Sequence, residues 1–144
     1  MRTLPVIAAA VAAAWLSAAP ARAADGPVGR WRTDNGNLEV EIAPCGAAFC
    51  GTVVKVLANR SMRGGGEMAA ADARSPLGMV LLKDLVPSAE GEWRGEIYNR
   101  ENAKTYSCKL SLDGPDHLAV RPYVGLPMFG KTLVWARVAP ATGD

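Results

Sequence analysis

The sequence lacks an apolar run long enough to cross a membrane, although its first residues are strongly apolar. Arg2 precedes an apolar stretch from about Leu4 to Leu16, bracketed by Pro5 and Pro20, whereas a spanning helix needs roughly 20 apolar residues. Such a start, followed by an Ala-x-Ala site ending at Ala23, is typical of a cleaved secretory signal peptide. We therefore expect removal of residues 1–23, a single mature domain of residues 24–144 without a membrane span, and a periplasmic or secreted location.

The mature chain would also lack an excess of charge of either sign. Of the 16 Lys and Arg residues only Arg2 and Arg22 precede the cut, and all 14 Asp and Glu residues follow it, so the remaining charges balance. Their signs alternate along the chain, which leaves no basic stripe to bind a phosphate backbone. Trp31, which lies between two arginines in VGRWRT, is therefore predicted to serve the fold, and nucleic acid is not an expected partner.

Histidine is nearly absent, and the sequence carries no strong enzyme signature. The only histidine, His117, follows the turn sequence DGPD at the start of a predicted strand, so a surface position is expected. Glu39 and Glu41 share a strand face, while Glu96 lies elsewhere. A catalytic carboxylate pair of the glycosidase type therefore remains an open alternative, but side chains at alternate positions of a hydrophilic strand face are usually solvated. We predict a protein that is not an enzyme and that uses no cofactor and no metal.

A long helical period is absent as well. Short segments of alternating polarity recur along the chain and are separated by Gly, Asn, Asp and Pro clusters, which is an all-β pattern. Short connections favour an up-and-down antiparallel barrel, with a sandwich as the second choice. The eight predicted strands are Val28 to Thr33, Leu38 to Ala43, Gly51 to Leu57, Met79 to Leu85, Glu92 to Tyr98, Thr105 to Leu112, His117 to Tyr123 and Thr132 to Val138.

One long connection, about Ala58 to Gly78, interrupts this series of hairpins. Connections of this length are often functional. Gly64 to Gly66 lie within it, but no Gly-Lys-Ser/Thr ending follows them, so a phosphate-binding loop is not expected. We predict one short helix here, from Glu67 to Ala73, that caps the mouth of the barrel.

Cysteine is scarce, with three residues in the chain. Cys45 and Cys50 enclose a short loop between two predicted strands, which in an exported protein predicts a disulfide across a hairpin. A redox pair, or half of a zinc site completed by Cys108 and His117, are the open alternatives. Cys108 shares a strand face with Leu110, which predicts a free and buried thiol.

Two short motifs at the ends of the mature chain resemble the calycin or lipocalin arrangement. In that arrangement a Gly-x-Trp on the opening strand meets an arginine from the closing strand across the end of the barrel. Here the matching residues are Gly29, Trp31 and Arg137. The resemblance implies a cation that lies over an indole ring and closes the barrel.

Longer segments resemble the exported bacterial family DUF2147 over essentially the whole mature chain. They are GRWRT, VEIAPCGAAFCGTVVKV, RSPLGMVLL, WRGEIYNRENAKTYSCKLSL and LAVRPYVGLPMFGKTLVWAR. Near the central turn the family pattern is Tyr-Asn-Pro-x-x-Gly-Lys-Thr-Tyr, and this chain has Arg100 in place of the proline and Ala103 in place of the glycine, which leaves the geometry of the turn open. The resemblance implies a small exported β-barrel and no established activity.

We predict a non-catalytic periplasmic binding module that holds a small apolar ligand or a peptide-like partner in or at the mouth of the barrel. A protein-interaction barrel, such as an envelope-stress factor or an inhibitor of a secreted enzyme, is the alternative, and an envelope enzyme is the third hypothesis. The expected partners are a small apolar ligand or an envelope protein. The candidate ligand contacts are Arg74, Pro76, Leu77, Tyr123, Leu126, Met128 and Phe129. For those in YVGLPMF, plain core packing at the end of the barrel is the competing interpretation.

Overall fold

Eight antiparallel strands close into a barrel in the computed structural model, which describes residues 2–5, 10, 26–126, 128 and 130–139. Each strand pairs with the next along the chain, and the last pairs with the first. The predicted up-and-down barrel is therefore confirmed and the sandwich is excluded. The strands, whose ends differ from the predicted ones by up to four residues, are β1 (Gly29–Arg32), β2 (Leu38–Cys45), β3 (Ala48–Val56), β4 (Val80–Ala89), β5 (Glu92–Asn99), β6 (Lys104–Leu112), β7 (His117–Tyr123) and β8 (Leu133–Arg137).

Some sequence predictions concern residues outside those ranges. The cut after Ala23 and the candidate contact Phe129 lie outside the described residues. Within the ranges that are described, no helix has the length and apolar character needed to span a bilayer.

The alternation of strand direction gives the barrel two distinct ends. The connections β1–β2, β3–β4, β5–β6 and β7–β8 all lie at one end, which we call the mouth. The other three connections lie at the opposite end, which we call the closed end. The long connection predicted from the sequence is the β3–β4 connection, and it therefore belongs to the mouth.

Large apolar side chains fill the half of the barrel next to the closed end. Because successive residues of a strand point to opposite faces, every second residue enters the interior. Burial of each large apolar side chain contributes about 1.5–3 kcal/mol relative to its exposure, so this half supplies much of the stability. The residues concerned, all with less than 2% of their surface exposed, include Trp31, Ile42, Leu85, Leu110 and Leu118.

The Gly-x-Trp motif and the arginine of the last strand meet at this end. The guanidinium of Arg137 lies 4.2 Å from the centroid of the Trp31 ring, and its Nε donates a hydrogen bond to the carbonyl of Pro115 at 2.8 Å. The indole Nε1 of Trp31 donates to the carbonyl of Pro27 at 2.8 Å. Gly29 has a φ of 139°, and a Cβ there would lie 2.6 Å from Nη1 of Arg137. Glycine is thus required at this position by both the backbone and the arginine.

The cysteines behave as the sequence predicted. Cys45 and Cys50 form a disulfide, with their Cα atoms 5.8 Å apart, across the β2–β3 hairpin at the closed end. Cys108 is a free, buried thiol, and burial raises its pKa to about 12. The zinc alternative is excluded for the described residues, which contain no cluster of three or more His, Cys, Asp or Glu able to hold a metal.

The β3–β4 connection, residues 57–79, will be called the mouth loop, and it does not contain the predicted helix. Residues Glu67 to Ala73 have an irregular path that begins with an isolated β-bridge between Glu67 and Arg60. The backbone N–H groups of Ala71 and Asp72 donate to carbonyls of residues 101 and 100 in the β5–β6 turn. These long-range hydrogen bonds take donors that a helix would need, and so override the local helical preference.

Candidate functional site

The half of the barrel next to the mouth is hollow. A cavity of about 450 Å³ opens there, within the range of roughly 300–1,000 Å³ typical of small-molecule sites. Its wall is mostly apolar because inward-facing side chains of the strands and two methionines of the mouth loop reach it. The main apolar lining residues are Leu38, Leu81, Ile97, Leu133, Met62 and Met68.

Three tyrosines lie in the wall of this cavity, and two of them, Tyr98 and Tyr106, have side-chain hydrogen-bond partners at the rim. The hydroxyl of Tyr98 donates to Oδ2 of Asp72 at 2.6 Å, and the hydroxyl of Tyr106 accepts from Nδ2 of Asn102 at 2.7 Å. These contacts hold the two phenol groups at the rim.

A single buried amide attaches the start of the mouth loop to the barrel. Asn37, which is 3% exposed, donates from Nδ2 to the carbonyl of Arg60 at 2.9 Å and accepts at Oδ1 from the Arg60 N–H at 2.9 Å. Its backbone carbonyl accepts from the N–H groups of Leu57 and Ala58. Every polar group of the Asn37 side chain is thus used to hold the loop.

An ionised carboxylate attaches the second half of the loop to β5. The side chain of Asp72 is 7% exposed and accepts hydrogen bonds from Nε of Arg74 at 2.9 Å and from the hydroxyl of Tyr98. The Arg74 side chain, followed by the Tyr98 hydroxyl, holds the pKa of Asp72 far below its usual range. The same carboxylate raises the pKa of Tyr98 and of Arg74. The three groups therefore keep one protonation pattern through neutral pH.

The middle of the loop is joined to the β5–β6 turn. The hydroxyl of Ser61 donates to Oε1 of Glu101, and Nη1 of Arg100 donates to Oδ1 of Asn59 at 3.1 Å. The same Nη1 lies 3.3 Å from the sulfur of Met68, a 9% exposed side chain that reaches the cavity. The mouth loop thus forms a rim fixed at both ends and at its middle.

The β5–β6 turn lacks the proline and the glycine of the family pattern, and two asparagine side chains cap it. Ala103 adopts a φ of 58°, a left-handed conformation that L-residues other than glycine seldom adopt. Asn102 accepts the N–H of Lys104 at Oδ1, and Asn99 accepts the N–H of Glu101 in the same way. These side-chain caps define the turn, and they hold Arg100 at the rim.

The candidate ligand contacts from the sequence are spread around the mouth, and one of them lies in the cavity wall. Tyr123 lines the cavity, whereas Arg74 and Met128 each line a separate hollow of about 390 Å³. Pro76 is half-buried outside the cavity, and Leu77 and Leu126 are exposed. The part of these residues in binding stays a prediction.

Apart from Tyr123, the residues of the cavity wall are not among the contacts predicted from the sequence. The alternation of TLVWARV suits either face of a strand, and the structure shows that Leu133 and Trp135 point inward while Val134 and Ala136 face outward. The two methionines of the mouth loop, Met62 and Met68, carried no periodic signal. His117 lies exposed at the closed end, as expected. The expectation of solvated carboxylates is wrong for Glu39, which is 4% exposed, whereas Glu41 and Glu96 form ion pairs with Arg30 and Lys83 at the surface.

The architecture is that of the lipocalin-like barrels. A solved structure described as "Protein HP1028 from the human pathogen Helicobacter pylori belongs to the lipocalin family" matches 78% of this chain and 83% of its own, with a TM-score of 0.61. At 20% identity this likeness shows the fold. Within that class, the chain belongs to the family DUF2147, described as an uncharacterized protein conserved in bacteria, whose model matches residues 29–137. No curated protein matches the chain.

Proposed function

We propose that this protein is a non-catalytic binding protein that holds one small, mostly apolar molecule in the cavity at the mouth. The observation that carries the proposal is the contrast between the two halves of one barrel: the closed-end half is filled, whereas the mouth half encloses about 450 Å³ with an apolar wall. Apolar surface that faces water costs about 25 cal/mol per Å² relative to a covered surface. A ligand that covers this wall is bound by the same effect.

We further propose that the protein acts in the bacterial periplasm or outside the cell. The signal-peptide pattern that ends at Ala23 supports export. The disulfide between Cys45 and Cys50 is compatible with it, because disulfides persist in oxidising compartments.

The first test asks whether the protein carries a molecule when it is isolated. Native mass spectrometry would compare protein purified from the periplasm with the same sample after denaturation and refolding. A reproducible extra mass that disappears on refolding supports the proposal and identifies the class of molecule. The same bare mass in both samples, together with no binding in the next test, contradicts it.

The second test places the binding site with two adjacent residues of β8. Leu133 lines the cavity, whereas Val134 is 46% exposed on the outer face, so Leu133→Trp fills the cavity and Val134→Trp adds the same side chain outside it. Affinity for a neutral fluorescent probe, N-phenyl-1-naphthylamine, should fall roughly tenfold or more in the first variant, a loss of about 1.4 kcal/mol. The second variant should bind as the wild type does. Equal binding by all three proteins would place the site elsewhere.

Exposed apolar side chains favour one alternative, a protein-interaction barrel. Val124, Leu126 and Met128, in the β7–β8 connection at the mouth, are 72%, 55% and 72% exposed. Exposed apolar side chains that adjoin one another commonly mark an interaction site. Val124 also lines the cavity, so the test changes only the other two: if replacement of Leu126 and Met128 by serine abolished a cross-link to one identified envelope protein and left probe binding intact, the alternative would be favoured.

A further inference from the structure

We infer that the molecule bound in the cavity is an amphiphile with an anionic head group, which binds to Arg100 at the rim while its apolar chain occupies the cavity. This inference rests on the proposed function and adds the chemical class of the ligand. It follows from the unmet polar groups of the cavity wall.

Arg100 is a cation in the cavity wall without an ionic partner. Its side chain is half-buried, and its Nη1 is bonded to the neutral acceptors Asn59 Oδ1 and Met68 Sδ. Its Nε is buried and has no hydrogen-bond partner, and among the described residues Arg100 belongs to no ion pair. By contrast, Arg74 at the same end is paired with Asp72. Because a partly buried charge is costly unless it is paired, an anion that binds to Arg100 would be stabilised there.

The other buried polar group of the cavity wall that lacks a hydrogen-bond partner is also a donor. Trp135 lines the cavity, is 3% exposed, and has no acceptor for its indole Nε1. Asn37 has both side-chain atoms bonded to the mouth loop, and the Tyr98 hydroxyl donates to Asp72. The unmet buried groups of the wall are therefore donors, and a ligand must bring acceptors to satisfy them.

The charged residues that line the cavity, two cations and one carboxylate, have the same preference. The charged lining residues in the described part of the chain are Arg100, Lys131 and Asp34; Lys131 and Asp34 are both exposed, so the half-buried Arg100 is the charge with least access to water. A carboxylate or a similar oxyanion fits the planar fork of an arginine and forms short, charge-assisted hydrogen bonds with it. A neutral head group would leave Arg100 unpaired, and a cationic one would be repelled.

The test uses three probes that share one chain and differ in the head group: decanoate, decan-1-ol and decyltrimethylammonium. Isothermal titration calorimetry on refolded mature protein at neutral pH would measure their affinities. Decanoate should bind roughly tenfold or more tightly than decan-1-ol, and decyltrimethylammonium should bind most weakly. Equal affinities for decanoate and decan-1-ol would overturn the inference and leave the proposed function intact.

A matched pair of variants assigns the effect to one arginine. Arg100→Gln should lower the affinity for decanoate to about that for decan-1-ol and leave the affinity for decan-1-ol within about twofold, because only the head group contacts this side chain. Arg94→Gln makes the same change of charge on the exposed outer face of β5 and should alter neither. Unchanged binding of decanoate by Arg100→Gln would overturn the inference. If neither N-phenyl-1-naphthylamine nor any of the three probes binds, the proposed function fails with it.

Discussion

Arg137 lies over Trp31 where β1 and β8 close the barrel, at the strand pair with the fewest paired residues. Strands β1 and β8 share only two registered residue pairs, Trp31 with Arg137 and Arg32 with Ala136, whereas β5 and β6 share eight. The cation over the indole ring and the hydrogen bond of Arg137 to Pro115 therefore add to a short ladder. The side chains compensate at this seam for the few backbone pairs.

Replacement of Arg137 by glutamine should destabilise the barrel by about 2 kcal/mol, because it removes the cation over the ring and a hydrogen bond to a backbone carbonyl. Arg137→Lys keeps the charge, so its free energy of unfolding should lie between those of the wild type and Arg137→Gln. Urea unfolding measured by fluorescence gives the free energy of unfolding. Arg94→Gln is the control for loss of a surface charge, and an equal effect of Arg94→Gln and Arg137→Gln would contradict the assigned role.

The β5–β6 turn should tolerate a stabilising substitution. Ala103 has a φ of 58°, where a Cβ is disfavoured by about 1 kcal/mol, so Ala103→Gly should raise the free energy of unfolding by up to that amount. Ala136→Gly, on the exposed face of β8, should instead lower it by about 0.5–1 kcal/mol. Thermal unfolding compares the two variants with the wild type. A loss of stability in Ala103→Gly would refute the prediction.

Asp72 should make stability depend on acid pH. Hydrogen bonds from Arg74 and Tyr98 hold the pKa of Asp72 below its ordinary value of 3.8 in the folded protein, and unfolding restores that value. A lowered folded pKa means that the ionised form favours the folded state, so this contribution is complete above about pH 5 and is lost as the pH falls below about 4. The difference in unfolding free energy between wild type and Asp72→Asn should therefore narrow from neutral pH to strongly acid pH. A constant difference would count against the ionic attachment of the loop.

The disulfide should stabilise the fold without affecting the cavity. Cys45→Ser combined with Cys50→Ser should cost about 2 kcal/mol, since the bridge closes a short loop in the unfolded chain. The hairpin lies at the closed end, whereas the cavity opens at the mouth. Affinity for N-phenyl-1-naphthylamine, measured well below the unfolding midpoint, should match that of the wild type. A weakened affinity would show that the two ends are coupled.

Cys108 should be inert while the protein is folded. Burial raises its pKa from 9.0 to about 12, which lowers the thiolate fraction at mildly alkaline pH roughly a thousandfold. Mass spectrometry after iodoacetamide treatment should show no added group in the native state and one in urea without a reductant. Rapid alkylation of the folded protein would mean that this part of the barrel opens easily.

The strands could be predicted from the sequence because their information is local. Alternation of polarity defines β6, and Gly and Asp turns mark where strands end. The cavity could not be predicted, since it depends on the path of the mouth loop along the rim. That path follows from contacts between distant residues, such as Asn37 with Arg60 and Asp72 with Tyr98. The same contacts explain why the predicted helix is absent. In TLVWARV both sets of alternating side chains are apolar enough to face the interior, so the inward face is decided by closure of the barrel and not by the sequence of this strand.

The division of the interior into a filled half and a hollow half makes this barrel a practical scaffold. Leu133 and Ile97 can be exchanged for other side chains at the mouth, while Trp31 and Leu110, which stabilise the fold, are left untouched. Selection could change the shape of the cavity in such a protein without repeated loss of folding. A protein engineer could use the same freedom to turn the barrel into a sensor for a chosen small molecule.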